Sequence, residues 1–198
     1  MLDRTIPFYN TILRCDAYSP REAVLPEGYA IAFYQPGDER AWAELEHSIG
    51  DFASVHEAEQ YFIATYLKNA DLQDNILFLK NAENRIIGSV IAWQDKRADT
   101  SVSSLHWLVV EEGHQGRGLG KALCLAVMNR FYELGGLPVY IHTQPWSWKA
   151  ILLYVSLGFK LQKADTFSHY RNEYAAAMDA LKRILPADQF AILLDASE

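Results

Sequence analysis

Three glycines at alternate positions stand between a strand pattern and a helix pattern, in the segment Gln115–Gly120. Glycine has no Cβ, so a backbone that carries it can turn tightly and approach another group closely. The first amides of the helix pattern that follows, Lys121–Leu134, have no acceptor within their own helix and favour an anion. This feature predicts a sheet strand, a turn and a packed helix, with a phosphate-sized site at the turn.

The spacing of the glycines excludes two common phosphate loops. A Walker loop requires Gly-x-x-x-x-Gly-Lys-Ser/Thr, whereas this chain has Gln115 at the first of these positions and Ala122 at the last. A dinucleotide fingerprint requires a third glycine where Lys121 or Leu123 stands. On the glycines alone, a turn that only closes a strand–helix unit is as good an interpretation as a phosphate loop.

The segment Ser103–Val110, just before the glycine loop, is the clearest strand pattern in the chain. Side chains alternate between the two faces of a strand, so the sequence predicts one apolar and one mixed face. The apolar face carries Leu105, Trp107 and Val109. We expect the site on the mixed face, which carries Ser104, His106, Leu108 and Val110.

The chain before this strand follows the order strand, helix, helix, strand, strand. The predicted ranges are 29–34, 39–49, 55–67, 75–79 and 85–93. Asp38 and Ser54 stand where the N-caps of the two helices are expected, and residues 81–84 have the composition of a hairpin turn. Residues 1–28, which are punctuated by prolines, are interpreted as an N-terminal extension.

Charge and composition argue against several classes of protein. A formal net charge of −7 argues against a nucleic-acid partner, because phosphate backbones are bound by clustered Lys and Arg. No apolar run approaches the roughly 18 residues that span a bilayer, so no membrane association is predicted, and residues 1–5 show no signal-peptide pattern. With only Cys15 and Cys124, the sequence predicts a cytoplasmic protein with reduced thiols.

A second motif follows the glycine loop. The predicted strand Val139–Thr143 leads to a helix that Ser147 can cap, and the run Ala150–Phe159 reads Ala-Ile-Leu-Leu-Tyr-Val-Ser-Leu-Gly-Phe. The Gln-x-x-Gly-x-Gly loop followed by Ala-x-x-x-Tyr-x-x-x-Gly-Phe resembles the GNAT superfamily of N-acetyltransferases, which often carries Asn where Ser147 stands. The match is specific over residues 103–163, whereas upstream only the order of elements agrees.

The resemblance implies an α/β fold with a mixed sheet, in which N-terminal antiparallel strands precede a β-α-β-α core that binds acyl-CoA between splayed parallel strands. Residues 1–198 would form a single acyltransferase domain, with the extension at 1–28, the acyl-CoA-binding core at 103–163 and a variable C-terminal region at 164–198. Within that last region the pattern predicts a helix over 172–185, and a strand or a short packed segment over 190–194. We expect the extension or the C-terminal helix to cover the acceptor site or to form a homodimer contact.

The resemblance also implies an N-acetyltransferase that moves an acetyl group from acetyl-CoA to a primary amine by direct attack on the thioester. The amide of Val110 would face the thioester oxygen, where negative charge develops in the transition state. The residues expected to bind acetyl-CoA are the main chain of Leu108, Val109 and Val110 and the loop residues Gln115, Gly116, Arg117, Gly118, Leu119, Gly120 and Lys121.

Two side chains are predicted to be catalytic. Tyr154 matches the family's tyrosine and is expected to protonate the departing CoA sulfur; without the motif it would be interpreted as a core aromatic. His106 is the expected base, because histidine accepts a proton near neutral pH and aralkylamine-type acetyltransferases place a histidine at the corresponding position. His142 and a base acting through water are open alternatives, as is a purely structural role for either histidine. His114 and Glu111 are expected as loop residues at the cofactor mouth.

The acceptor is not specified by any motif, so a small amine, an amino-acid or antibiotic amine, and a protein N-terminus or lysine all fit. No grouping of His, Cys, Asp and Glu has metal-ligand spacing, so no metal is predicted. A non-catalytic acyl-CoA sensor is the main alternative. It would need Gln115–Gly120 but neither Tyr154 nor His106, and their presence favours an enzyme.

Overall fold

Seven strands, rich in β-branched and aromatic side chains, form a mixed sheet in the part of the chain that the structure describes. The computed structural model describes residues 3–68, 70–97 and 100–198. In chain order the strands are β1 (Thr11–Cys15), β2 (Ala30–Phe33), β3 (Ile76–Lys80), β4 (Ile86–Arg97), β5 (Thr100–Val110), β6 (Val139–Thr143) and β7 (Lys160–Leu161). Their order across the sheet is β2–β3–β4–β5–β6–β1–β7. β5 and β6 are parallel and β2, β3 and β4 are antiparallel, which confirms the predicted fold class.

Six α-helices accompany the sheet within the described ranges. They are α1 (Glu39–Ile49), α2 (Val55–Phe62), α3 (Leu119–Glu133), α4 (Trp148–Ser156), α5 (Tyr174–Ile184) and α6 (Ala187–Asp195). The hydroxyl of Ser54 accepts a hydrogen bond from the Glu57 amide (3.1 Å), as predicted for the cap of α2, and α2 continues as a π-helical turn over Ile63–Leu67. Among the described residues, no helix combines the length and apolar character needed to cross a bilayer.

Two expectations about helix caps are wrong, and one of the alternatives for the C-terminal region is excluded. The Asp38 carboxylate does not cap α1 but accepts a hydrogen bond from the Gln35 amide (2.9 Å). The Ser147 hydroxyl does not cap α4 but accepts one from Gln144 Nε2 (3.0 Å). Residues 190–194, where a strand is one of two expectations, lie in α6. At both caps the side-chain oxygen accepts a hydrogen bond from a nearby donor other than the helix amide. Residue spacing does not predict which of these donors the oxygen binds.

The predicted N-terminal extension contains a strand of the sheet. β1 pairs antiparallel with β6, from Thr11 opposite Thr143 to Cys15 opposite Val139. It also pairs with the short β7, where Leu13 faces Leu161. These partners are far away in sequence, so no local pattern around residues 11–15 predicted that they would enter the sheet.

The chain comprises two compact units, each with buried apolar side chains of its own. The first comprises Pro20–Trp93 and His106–Arg130, and its core includes the fully buried side chains of Trp42, Phe62, Tyr66, Phe78 and Ile91. The second comprises Gln94–Leu105 and Phe131–Glu198, with the N-terminal segment up to Ser19. Its buried side chains include Leu13, Phe131, Ile141, Phe159 and Leu181.

Trp107 interrupts the regular alternation of β5. Its φ of 52° lies in the left-handed region, which is a rare conformation for a bulky side chain. The sequence pattern predicted His106 and Trp107 on opposite faces, yet both side chains contact Tyr66. The left-handed residue therefore shifts the alternation of side chains by one position. As a result, His106 and Val110 do not share one strand face, contrary to what the sequence predicted.

Gly88 of β4 lies where β5 approaches too closely for any side chain. A Cβ built on Gly88 would stand 2.8 Å from the carbonyl oxygen of Val109 and 3.2 Å from the side chains of Leu79 and Leu123. The closest of these atoms belongs to the backbone, so the clash cannot be relieved by a side-chain rotation alone. Glycine at this position is thus required by packing.

Gly88→Ala is expected to destabilise the fold by about 1–3 kcal/mol, the usual cost of overpacking. Urea unfolding followed by circular dichroism measures this as a lower midpoint with an unchanged slope. Gly113→Ala is the matched control, because a Cβ there meets nothing within 4 Å and no left-handed φ is involved. Equal midpoints for the Gly88 variant and the unmodified chain would contradict the packing argument.

Candidate functional site

The glycine loop connects β5 to α3 in the first unit, and the backbone explains its composition. After β5 a short 3₁₀ turn covers Glu112–His114, and Gly116 (φ 77°) and Gly118 (φ 80°) then adopt left-handed conformations. The first hydrogen bond of α3 runs from the Ala122 amide to the Gly118 carbonyl (3.0 Å). The amides of residues 119–121 therefore precede the intrahelical bonding pattern and form an N-terminus suited to an anion.

Gln115 fixes the loop to the end of the strand. Its Nε2 donates a hydrogen bond to the Val110 carbonyl (2.8 Å). This bond joins the start of the glycine loop to the end of β5, and both of these belong to the predicted acyl-CoA site. The contact explains structurally why the motif has a glutamine here, without reference to a ligand. The sequence alone did not suggest this contact.

The surface of the loop fits a diphosphate. Gly116, Arg117, Gly118 and Lys121 are exposed, and a Cβ added at either Gly116 or Gly118 would meet nothing within 4 Å. The backbone at these positions is therefore open to an incoming group. Two exposed cations and the helix N-terminus supply positive charge for it.

Glu111 and His114 stabilise the entrance to the loop. Glu111 forms a bidentate ion pair with Arg85, and this guanidinium lowers the pKa of the Glu111 carboxyl. His114 Nδ1 lies 3.0 Å from the Tyr29 hydroxyl, and its Nε2 lies 3.5 Å from Glu111 Oε2. Both residues lie in the connecting loop, as expected, and these contacts give them an architectural role.

His106 is surrounded by aromatic side chains of the first unit. Its ring stacks on Trp93 (centroids 5.7 Å apart, 28° between planes), and its Nδ1 lies 3.4 Å from the Tyr66 hydroxyl. That hydroxyl accepts a hydrogen bond from Trp107 Nε1 (2.5 Å). Burial raises the pKa of Tyr66 well above its ordinary value, so this tyrosine stays neutral.

The tautomer of His106 depends on the direction of its contact with the Tyr66 hydroxyl. Tyr66 also hydrogen-bonds the side chain of Tyr61, in a sense that favours the protonated form of Tyr66. A tyrosine hydroxyl has one proton to donate. When that proton goes to Tyr61, the contact with His106 requires Nδ1–H as donor, and the lone pair of the neutral ring then lies on Nε2. The sequence predicted a helix over residues 55–67 but gave Tyr66 no role.

His142 lies on β6 in the second unit and has its own partners. Its ring stacks on Tyr170 (centroids 3.7 Å, 13°), and its Nε2 lies 2.8 Å from Asn10 Oδ1. Asn10 Nδ2 donates to Glu173 Oε2 (3.0 Å), and because a carboxylate cannot donate, this bond fixes the orientation of the amide. His142 must then carry its proton on Nε2, so Nδ1 is the acceptor of the neutral ring.

Tyr154 lies on α4 in the second unit and is 5% exposed. Its ring is 5.9 Å from that of Phe159, and its carbonyl accepts the Phe159 amide (3.1 Å) after the chain turns at Gly158 (φ 105°). The tyrosine, glycine and phenylalanine of the second motif thus form one local structure at the end of a helix.

His106, the β5 residues Leu108, Val109 and Val110 and the whole loop 115–121 belong to the first unit. Tyr154 and His142 belong to the second unit. Among the residues that the structure describes, no three His, Cys, Asp or Glu side chains are arranged to hold a metal ion. Cys15 and Cys124 are both buried and are not joined in a disulfide.

The chain is similar to known acetyltransferases. The model of the acetyltransferase (GNAT) family matches residues 39–159. A mycothiol acetyltransferase of Actinosynnema mirum is 30% identical over 158 residues, which are 74% of this chain and 49% of that protein. One of Streptomyces avermitilis is 29% identical over 163 residues, which are 77% and 49% of the two chains. The chain thus spans about half the length of these curated relatives.

Solved structures show the same fold. A GCN5-related N-acetyltransferase from Sphaerobacter thermophilus superposes with a TM-score of 0.61 at 24% identity, over 77% of this chain and 48% of that one. Glucosamine-6-phosphate N-acetyltransferase from Arabidopsis thaliana gives a TM-score of 0.54 at 18% identity, over 75% of this chain and 99% of that one. At these identities the likeness concerns the fold.

Proposed function

The chain belongs to the GNAT acetyltransferase family, and from this membership we propose that it transfers an acetyl group from acetyl-CoA to a primary amine. The observation that carries the proposal is the open glycine loop at the start of α3, where left-handed Gly116 and Gly118 expose helix amides beside Arg117 and Lys121. A diphosphate needs such a cluster of donors and positive charge. Acetyl-CoA supplies a diphosphate together with the thioester that this family uses.

The reaction needs three groups from the protein. The amine must lose a proton to a base, the thioester oxygen must be stabilised as it gains charge, and the leaving sulfur must gain a proton. The nitrogen lone pair forms the new bond to the carbonyl carbon while the carbon–sulfur bond breaks. We assign the base to His106, the oxygen donor to the main-chain amide of Val110, and the acid to Tyr154, whose phenol proton passes to the sulfur.

His106 is preferred to His142 as the base because of where each basic nitrogen lies. We assign His106 the tautomer in which Nδ1–H donates to the Tyr66 hydroxyl, which lies 3.4 Å away, and the lone pair then lies on Nε2, the outer nitrogen of the ring. His142 commits Nε2 to Asn10, and its remaining acceptor Nδ1 lies closer to its own main chain. Both side chains are imidazoles, so the choice between them rests on geometry.

The relatives suggest which amines to test first. The curated relatives are named mycothiol acetyltransferases, and one structural relative is named for glucosamine 6-phosphate. We therefore propose a small amine on a polar carbon skeleton as the acceptor, with amino sugars and the deacetylated form of mycothiol as the leading examples. Peptide N-termini complete the panel, since a complex that binds a peptide is also among the structural relatives.

Acetyl-CoA is expected to bind the isolated protein and to release CoA only when an accepted amine is added. Calorimetry measures the binding, and a thiol reagent measures the release across the amine panel.

Gly118→Ala should weaken the binding of acetyl-CoA about tenfold, because a left-handed non-glycine residue costs roughly 1–2 kcal/mol. Gly50→Ala is the matched control: it has the same left-handed strain (φ 89°), also with open space around the Cβ, but at the end of α1. Binding without release on any amine would favour the acyl-CoA sensor, and no binding would overturn the proposal.

Tyr154→Phe is expected to lower kcat by at least about tenfold while acetyl-CoA affinity stays within about twofold, because general acid catalysis contributes roughly 10²–10⁴. The variant removes only the hydroxyl and keeps the buried ring next to Phe159. Tyr132→Phe, at a tyrosine that is 49% exposed on α3, is the control and should leave kcat unchanged. An unaltered kcat in the Tyr154 variant would remove this residue from the mechanism.

His106→Gln is expected to abolish the acidic limb of the profile of log kcat/KM against pH, because glutamine cannot gain a proton in this range. His142→Gln should retain that limb, so each variant serves as the control for the other. Loss of the limb in the His142 variant alone would transfer the role of base to His142. If both variants retain the limb, the base is neither histidine and a water-mediated route is supported.

A further inference from the structure

Glu46 is a carboxylic side chain in the middle of the first unit's core. It lies on α1, is 0% exposed, and shares this core with Trp42, Phe62 and Tyr66. One of its oxygens, Oε2, has no hydrogen-bond partner among the described atoms. An ionised carboxylate is stable in such a place only with several close donors or a cation, since its desolvation costs several kcal/mol.

The other oxygen of Glu46 is linked through the Ser89 hydroxyl to the main chain of β5. Glu46 Oε1 lies 3.4 Å from the Ser89 hydroxyl, and that hydroxyl lies 3.1 Å from the Trp107 carbonyl oxygen. A carbonyl oxygen can only accept, and a serine hydroxyl has one proton. The shorter contact therefore takes the serine proton, and the longer contact is a hydrogen bond only when Glu46 supplies the hydrogen.

The residue at the end of this chain of bonds is the strained one. Trp107 has a φ of 52°, and a bulky residue held in the left-handed region costs about 1–3 kcal/mol, which surrounding contacts must offset. Because of this conformation His106 and Trp107 both face Tyr66. The carbonyl that Ser89 holds thus belongs to the residue whose conformation determines where His106 points.

We propose that Glu46 is kept as a neutral carboxylic acid and positions the active site, by donating through Ser89 to the Trp107 carbonyl and so holding the kink of β5. Glu46 is a positioning residue, since it touches neither substrate in this assignment. Its effect on turnover rests on the proposed function. Its protonation and its hold on the kink are properties of the fold and can be measured without any acceptor.

The groups around Glu46 agree with a neutral side chain. Burial, reinforced by the negative charge of Asp51, raises the pKa of Glu46 well above its ordinary value, against a smaller lowering by the Ser89 hydroxyl. Tyr66 is a second titratable group that interacts with it, and Tyr66 is itself neutral because burial raises the pKa of its phenol. Neither neighbour supplies a positive charge that would favour the carboxylate.

The proton on Glu46 is tested by infrared difference spectroscopy at pH 7. The spectrum of the unmodified protein minus that of Glu46→Gln is expected to show the carbonyl band of a protonated carboxylic acid, above the amide region where carboxylates do not absorb.

The pH dependence of unfolding gives a second measurement of the same proton. The unfolded carboxyl ionises above about pH 4.3 and the folded one stays protonated, so stability falls as pH rises through this range. The unfolding equilibrium constant should rise up to about tenfold per pH unit relative to Glu46→Gln. Without the band and without this relative slope, Glu46 is ionised and the proposal is wrong.

The hold on the kink is tested with the Trp107 indole. Its Nε1–H bonds to the Tyr66 hydroxyl at 2.5 Å, so the resonance of this indole proton reports the position of the kink, with Trp107→Phe for assignment. Glu46→Met, which has similar length and no donor, should shift this resonance, and Glu46→Gln, which keeps a donor, should leave it in place. Ser89→Ala breaks the same chain and replaces Glu46→Met should that variant fail to fold. An unmoved resonance in the donor-free variants would overturn the proposal.

Turnover provides the last measurement. Glu46→Met is expected to lower kcat about tenfold or more through misplacement of His106, with acetyl-CoA affinity within about twofold, and Glu46→Gln should restore kcat. Equal kcat values for the methionine and glutamine variants would show that Glu46 positions nothing in the reaction. If the unmodified protein turns over no amine, the proposed function fails, while the infrared and indole results still decide the role of Glu46.

Discussion

The left-handed backbone at Trp107 is the constraint around which the first unit is built. It turns two successive side chains of β5 toward the helices, so His106 and Trp107 both reach Tyr66. It also turns the Trp107 carbonyl toward Ser89. A strand with regular alternation would place the side chains of His106 and Trp107 on opposite faces. One unfavourable residue thus brings a candidate base, an aromatic wall and a buried carboxyl into a single network.

The sequence predicted the elements that depend on local chemistry. α1 begins and ends at the predicted residues, β6 matches its predicted range, and Gly135 turns the chain after α3 as expected (φ 65°). The glycine loop was also predictable, because only glycine adopts φ near +80° without strain, as Gly116 and Gly118 do. In each case the residue type dictates the backbone at its own position, so the signal survives without knowledge of the rest of the chain.

The parts that the sequence did not predict depend on partners that are distant along the chain. β1 enters the sheet only because β6 offers an edge to it, and Asn10 becomes an orienting group for His142 only because Glu173 holds its amide. The kink at Trp107 is the sharpest example. A tryptophan carries no preference for a left-handed backbone, and the contacts that stabilise it come from α1, β4 and the turn that continues α2. Regular alternation was therefore what the local sequence indicated, but it placed the His106 side chain on the wrong face of β5.

Main chain and side chains contribute differently to the proposed reaction. The proposed acyl-CoA-binding surface is made of amides, and glycines and a helix start determine where those amides point. Such a surface therefore leaves a recognisable motif in the sequence. The base instead depends on the proton positions in a network of Tyr61, Tyr66 and His106. If the Tyr66 proton pointed to His106 rather than to Tyr61, Nδ1 would accept it, Nε2 would carry a hydrogen, and the outer nitrogen would no longer be basic. The proposal of His106 as the base thus depends on one hydroxyl orientation, that of Tyr66, whose oxygen also accepts the Trp107 indole N–H.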